Sequence, residues 1–409
     1  MKVLYFHQHF STPQGATGTR SYEMSRALIK AGHKVTIVCG SYGGGKTGLS
    51  GPFLKGVRKG MVDGIQIIEF ELPYSNQDSF LKRTSVFLKF ALKSVKVALT
   101  EQYDLVFATS TPLTAGIPGI FARWLRGKRF VFEVRDLWPE LPREMGVITN
   151  PIILWMMGVL EWASYRSAHA CIGLSPGIVD GIKKRGIKSN KITMIPNGCD
   201  LDLFTDKIIK PKRPNQVQET DLLAIFTGTH GLANGVGAAL DAAAELLKRG
   251  RTDIKFCFIG QGREKPSLIK KAKAENLENC IFLESVPKTE LVSYLKGADI
   301  GLQMLKNIPV FYYGTSPNKF FDYIAVGLPV LNNYPGWLAD MIKEQSGGFA
   351  IPADDYIAYA DALELAADNR SELIQMGKNN QLLAKDFDRR TLSSQFVAWL
   401  EKTSTNKKN

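Results

Sequence analysis

The chain has 409 residues, 44% of them hydrophobic, and a formal net charge of +13. That length suggests two domains of ordinary globular composition. Five scattered cysteines without a C-x-x-C pair, and histidines without metal-ligand spacing, argue against a disulfide framework or a zinc site and fit a reducing compartment. Residues 1–200 hold 26 of the Lys and Arg against 14 of the Asp and Glu, so this half is expected to meet something anionic.

Met1-Lys2 leads directly into a strand over residues 2–10 rather than into a secretory signal. A glycine loop, Gly15 to Gly18, follows. Residues 19–31 have helical spacing through Tyr22, Leu28 and Ile29, stopped by Gly32, and residues 35–39 form a second strand. This is a βαβ unit. The next stretch, GSYGGGKT at 40–47, matches the phosphate-binding pattern G-x-x-x-x-G-K-[ST] letter for letter. A phosphate loop needs a helix to begin at its Lys-Thr, and Gly48, Gly51 and Pro52 are poor material for one. A glycine-rich surface loop is the better reading.

Further strands are expected at 65–70, 105–109, 129–134, 170–174 and 192–195, with helices between. Such alternation implies a parallel sheet with helices on both faces. On a helical wheel, Lys82, Lys89, Lys93 and Lys96 of FLKRTSVFLKFALKSVKV fall within an arc of about 60°. Apolar residues fill most of the remainder, as in a helix lying at an anionic membrane surface. FARWLRGKR at 121–129 adds a second basic, aromatic patch, and the apolar run 151–160 is too short to span a bilayer. Aromatic residues are not interleaved as in a nucleic-acid module, so no nucleic acid is expected as a partner.

Residues 206–220, polar and with two prolines, read as a linker between residues 1–205 and a second domain over 221–385. There the pattern restarts, with strands at 222–227, 254–259, 281–283, 300–303 and 330–331. Ligands of open α/β sheets bind at the carboxyl ends of strands, so the loops after strands carry the chemistry. The first is Thr229-His230-Gly231 through Asn234, glycine-rich and ahead of a helix. The second places Arg263 and Lys265 beside it. The third stretch, SPNKFFDYIAVGLPVL at 316–331, sets Ser316, Asn318 and Lys319 in a turn and Asp322 on the first turn of a helix. A carboxylate there can accept from ribose hydroxyls while the lysine faces phosphate oxygens. A last helix is expected over 386–402, then a charged, disordered tail at 403–409.

These residues carry a resemblance. GTRSYEMSRALIKAGHKVTIV at 18–38, IPNGCDLDLF at 195–204 and SPNKFFDYIAVGLPVL resemble the family-four glycosyltransferases of the GT-B fold. FEVRDLWPELP at 132–142 resembles a surface-polysaccharide subgroup with a DLWPE motif. The resemblance implies two facing Rossmann-like domains with parallel sheets and a C-terminal helix crossing back to the first domain. It implies transfer of a sugar, with retained configuration, from a UDP-sugar to an undecaprenyl-diphosphate-linked saccharide in O-antigen or capsule assembly. An N-acetylated amino sugar such as N-acetyl-L-fucosamine is the expected cargo. The enzyme would work without a metal or other cofactor, in the cytoplasm at the inner face of the plasma membrane.

By the same resemblance the 228–235 loop, with Thr229, His230, Gly231 and Asn234, takes the donor diphosphate together with Arg263 and Lys319, and Lys265, Ser316 and Asn318 belong to the same donor site. Val286 lies by the base, Asp322 holds the ribose, and Gly15, Gly18 and Arg20 line the opposite wall. Arg135, Asp136 and Glu140 serve the acceptor hydroxyl. Two departures stand out. Gly314 occupies the place of the first glutamate of the family's E-x7-E pair, and the 228–235 loop has His230 and Asn234 but no Lys or Arg. A sugar-nucleotide epimerase of the same fold, or a non-catalytic nucleotide-sugar binder, is the alternative.

Overall fold

The structure is a computed structural model, and it describes all residues except Ala16, Gly44, Asn76, Gln77 and 406–409. The middle of the Gly15–Gly18 loop, one glycine of the 40–47 stretch and most of the expected tail therefore lie outside the described residues. The chain divides into two compact units, residues 1–197 with 314–316 and 390–409, and residues 198–313 with 317–389.

The first unit is built on an eight-stranded sheet. Its order is Val57–Val62, Ile65–Tyr74, Lys34–Tyr42, Lys2–Phe6, Leu105–Thr109, Arg129–Val134, Ala170–Gly173 and Ile192–Met194. All neighbours pair in parallel except Val57–Val62, which runs antiparallel to Ile65–Tyr74. That extra edge strand was not expected. It forms because Asp63 and Gly64 adopt φ of 50° and 80°, the backbone of a tight hairpin turn whose twist matches the strands. The first strand ends at Phe6 rather than at residue 10, since its ladder with Lys34–Tyr42 stops at Phe6 opposite Val38.

Strand alternation sorts the core into two layers. Leu4 and Phe6 face Phe90, Phe130, Phe132 and Tyr165 on one side of the sheet. Val3 and Tyr5 face Met24, Leu28, Phe107 and the last helix, Arg389–Thr405, on the other. That helix contributes Leu392, Phe396, Val397 and Leu400, with Phe396 edge-on to Phe107 at 4.9 Å. It belongs to the first unit although it is last in sequence.

The second unit has six parallel strands in the order Cys280–Leu283, Ile254–Ile259, Leu222–Thr227, Ile300–Gln303, Val330–Asn332 and Gly348–Ala350. Numbered within the unit this is 3-2-1-4-5-6, the doubly wound arrangement. The parallel strands of the first unit begin the same way. In each unit the order therefore reverses between the first strand and the fourth, and the loops leaving those two strands diverge to open a crevice. The polar segment 206–220 is irregular but packed: Arg213 bonds Asp299 and the Asp221 carbonyl, and Val217 is buried.

Candidate functional site

In the second unit three loops converge at the switch point. The amide of Gly228 donates to the Ile259 carbonyl at 3.0 Å, that of His230 to Gln261 at 2.9 Å, and that of Glu264 to His230 at 2.9 Å. The approach is so close that a Cβ on Gly260 would lie 1.8 Å from the Gly228 oxygen, and one on Gly262 2.2 Å from the His230 oxygen. Only glycine fits these two positions. On the other side Lys306 donates to the Ala233 carbonyl at 2.9 Å. Gly235, at φ 56°, turns the chain into helix Gly237–Lys248.

Lys319 stands at this junction. It lies on the first turn of helix Asn318–Val326, which starts after Pro317 and ends at Gly327 in the left-handed conformation. Its Nζ donates to Asn234 Oδ1 at 2.7 Å and sits 4.0 Å from the centroid of the Phe226 ring. Asn234 in turn donates to the Thr229 carbonyl at 2.8 Å, so the amide bridges lysine and loop. No carboxylate pairs with this ammonium among the described residues. Burial lowers its pKa to about 7: a low-dielectric surrounding penalises the charge, and nothing of opposite sign repays it.

The other expected donor residues differ in fate. Lys265 is buried, and its ammonium is fully occupied by the Gly260 and Leu283 carbonyls and Glu284, at 2.8–2.9 Å. His230 turns inward and stacks on Phe226 near Phe258 and Phe282, with neither ring nitrogen bonded. Burial and the nearby Lys265 and Lys319 lower its pKa to about 4, so it is neutral. Thr229 and Arg263 are exposed, while Gly231, Val286 and Asn318 are half-buried. Asp322 is buried and pairs with Lys288 at 3.1 Å. Ser316 groups with the first unit, where its hydroxyl accepts the Asn197 amide at 2.9 Å.

The switch point of the first unit has a different electrostatic character. Arg20 is buried and binds Glu133 Oε2 through two nitrogens, at 2.8 and 3.0 Å, and the carbonyls of Ile195 and Pro196. Thr109 donates to the other Glu133 oxygen at 2.8 Å. Burial alone would raise the Glu133 pKa, but Arg20 and Arg135 hold it below the ordinary value. Arg20 is thus a core ion-pair residue rather than part of a cleft wall. Of the glycine loop, Gly15 is buried and Gly18 exposed.

Arg135 Nη1 lies 3.2 Å from His7 Nε2. A guanidinium can only donate, so Nε2 accepts, and the ring proton sits on Nδ1, which donates to Ser21 Oγ at 2.8 Å. Burial, then Arg135, depresses the His7 pKa well below its usual value. Asp136 accepts from Thr111 Oγ1 at 3.0 Å, and burial raises its pKa. Thr111 itself is held at φ 92°, a costly conformation for a β-branched residue and one that marks functional loops. Glu140 shares Arg185 with the buried Glu161, whose pKa is raised to about 7 by burial and by the like charge of Glu140.

The 40–47 stretch starts no helix; its first residues extend the strand Lys34–Tyr42. Its later residues line a cavity of about 540 Å³ with Phe53, Tyr74 and Lys82. Among the described residues no three His, Cys, Asp or Glu side chains gather as a metal site.

Residues 15–198 match the family described as Glycosyl transferase 4-like domain, and residues 208–382 match Glycosyl transferases group 1. The chain belongs to the family-four glycosyltransferases. Its fold is GT-B. The sucrose-phosphate synthase of Thermosynechococcus elongatus superposes with a TM-score of 0.75 at 15% identity over 98% of each chain. The Anabaena protein HepE, in complex with UDP and glucose, superposes with a TM-score of 0.67 at 15% identity over 98% of this chain and 100% of that one. Among curated proteins, the amylovoran biosynthesis glycosyltransferase AmsK of Erwinia amylovora is 24% identical over 190 residues, 46% of this chain and 45% of its own. The chain spans about half the length of the curated relatives it matches.

In this glycosyltransferase the structure gathers Thr229, Asn234 and Lys319 and sets Arg135 and Asp136 at the other switch point. Sequence reasoning missed Lys288, Phe226 and Glu133 as partners. Glu133 was detectable: a carboxylate inside the apolar run FVFEV must meet a buried cation. Lys288 carried no such signal.

Proposed function

We propose that this glycosyltransferase moves a sugar from a UDP-sugar to a lipid-diphosphate-linked saccharide during assembly of a surface polysaccharide, with retention of configuration and without a metal. The observation that carries the reading is the uncompensated ammonium of Lys319 at the switch point, beside the glycine loops. An anion is the natural partner of a cation held in an apolar, hydrogen-bonded seat. HepE, which shares the fold, holds UDP, and AmsK is named for polysaccharide biosynthesis.

In this reading the donor diphosphate meets Lys319, Arg263 and the backbone amides around Thr229 and Gly231. Asn234 keeps the lysine aimed, the base lies by Val286, and Asp322 takes the ribose once Lys288 yields. Cleavage of the C1–O bond places charge on the diphosphate, where these donors are already oriented. The acceptor oxygen bonds to C1 on the same face, and its proton passes to the departing diphosphate oxygen. Arg135, Asp136 and Glu140 of the first unit orient the acceptor, and Lys82, Lys89, Lys93 and Lys96 favour an anionic membrane surface where such acceptors reside.

The test is a thermal-shift screen of UDP-, GDP- and dTDP-sugars, with UDP-N-acetyl-L-fucosamine among the first donors. Transfer onto a synthetic lipid diphosphate sugar, with and without EDTA, follows. Stabilisation by UDP-sugars and EDTA-resistant transfer are expected. A melting temperature that no nucleotide-sugar moves, or transfer abolished by EDTA and restored by a divalent ion, defeats the proposal.

A further inference from the structure

Helix Pro151–Ser167 is apolar on its outward side as well as where Met157 and Leu160 meet the core. Its inward face carries Glu161, Ser164, Tyr165 and Ser167, all buried. Its outward stripe is Ile152, Trp155, Met156, Val159 and Trp162, with Trp155 69% and Trp162 53% exposed. The spacing of three, one, three and three residues keeps that stripe on one side of the helix. A helix on a water-facing surface is polar on that side.

The neighbouring helices continue the feature. Ile117–Arg126 packs between Phe80–Thr100 and Pro151–Ser167, and Trp124 Nε1 donates to Ser167 Oγ at 2.8 Å. Trp124 and Leu125 on the middle helix, and Leu81, Leu88 and Leu92 on the first, are exposed large apolar residues. Isolated exposed leucines are ordinary, but outward ridges on three adjacent helices are not.

Charge selects the occupant. The three helices contain a single acidic residue, Glu161, and it is buried, whereas Lys89 and Lys96 are exposed and Arg123 and Arg166 lie among the apolar side chains. A protein partner would be met with both signs of charge at the rim. Cations interspersed with tryptophan and leucine, and no exposed anion, match the headgroup boundary of an anionic bilayer. No helix of the described residues is long and apolar enough to cross a membrane, so this surface would lie in the interface.

We propose that the outward ridge of helix Pro151–Ser167, with Trp124 and Leu125 beside it, is a docking face that inserts into the headgroup region of an anionic lipid bilayer. This deepens the membrane-surface part of the proposed function, moving the principal contact from the lysine helix to the tryptophan helix, and needs no donor or acceptor.

Flotation of the full chain with phosphatidylethanolamine–phosphatidylglycerol vesicles tests it, with phosphatidylcholine vesicles in parallel. The chain is expected to float with the anionic vesicles and to show tryptophan quenching by brominated lipid. Trp155→Ser with Trp162→Ser should lower the bound fraction by about tenfold or more, because two large apolar anchors are lost. Lys89→Glu with Lys96→Glu should give a smaller, salt-sensitive loss. Ile374→Ser, an exposed apolar residue of the second unit, should change nothing. Retained thermal stabilisation by UDP-sugar in the tryptophan variant would show an intact fold and leave the transferase reading untouched. Floating of that variant like the wild type, or failure of the wild type to float, overturns the proposal. So does conversion of a dimer to a monomer by the tryptophan change with lipid binding unaltered, since a second copy of the chain would then be what covers the ridge.

Discussion

The parallel strands of the two units begin in the same order, but Arg20 near one switch point and Lys319 at the other are compensated differently. In the first, Arg20 is locked to Glu133 and two carbonyls, and Arg135 donates to His7. In the second, Lys319 has only an amide oxygen and an aromatic face. The half of the chain that carries most of the net charge therefore satisfies its central arginine internally, and the nearly neutral half leaves a cation open. Net charge says where a protein is attracted, while an uncompensated charge says where an anion is held.

The comparison breaks most visibly if the buried pair proves dispensable. Arg20→Ala should cost about 3–5 kcal/mol of stability, because it strands Glu133 in the core; denaturant unfolding measures it, and a loss below about 1 kcal/mol would contradict the assignment. Lys319→Ala should do the reverse, leaving the melting temperature unchanged or higher while weakening UDP binding by about 10- to 100-fold, the worth of charge-assisted hydrogen bonds. Calorimetry and thermal shift on the same sample separate the two effects.

The pH dependence sharpens the contrast. The free-state pKa of Lys319 is about 7, and diphosphate needs the ammonium form. UDP affinity should be full below pH 7 and fall as pH rises above it, by up to about tenfold per unit until the bound-state pKa is reached. For folding the sign is also fixed. The penalty for burying this lysine is absent above its unfolded pKa, grows as pH falls towards 7 and is constant below. Affinity that is flat from pH 6 to 9 would show that Lys319 does not meet the anion.

A smaller effect is expected at Asp322. Because Lys288 already occupies the carboxylate, Asp322→Asn should weaken UDP by roughly threefold to tenfold, within the range of one hydrogen bond, and should weaken 2′-deoxy-UDP less. The smallest is expected at Arg263, which is exposed: alanine there should cost UDP affinity about threefold, as for a solvated ion pair, and less at high salt.

Much of the fold was legible in the sequence because strand and helix periods are local properties. The restart of alternation near residue 222, the glycine stops and the GLPV ending of helix Asn318–Val326 all read correctly. Of the two missed edge strands, Val57–Val62 and Gly348–Ala350, the first had a local signal as well, the Asp63-Gly64 pair between two alternating runs. The errors in the site were of another kind. Arg20, Lys265 and His230 looked available because sequence shows that a residue is polar but not what opposes it. Their neighbours, Glu133, Glu284 and Phe226, lie 113, 19 and 4 positions away.

By itself the sequence determined the alternating α/β pattern, the family resemblance and the loops that leave the strands, since each depends on residues close along the chain. Tertiary structure alone decided which charges are compensated and which side of helix Pro151–Ser167 faces outward. Both are set by what packs against a residue from distant parts of the chain, and the free energy of a charge or an apolar surface depends on that surrounding rather than on its own identity.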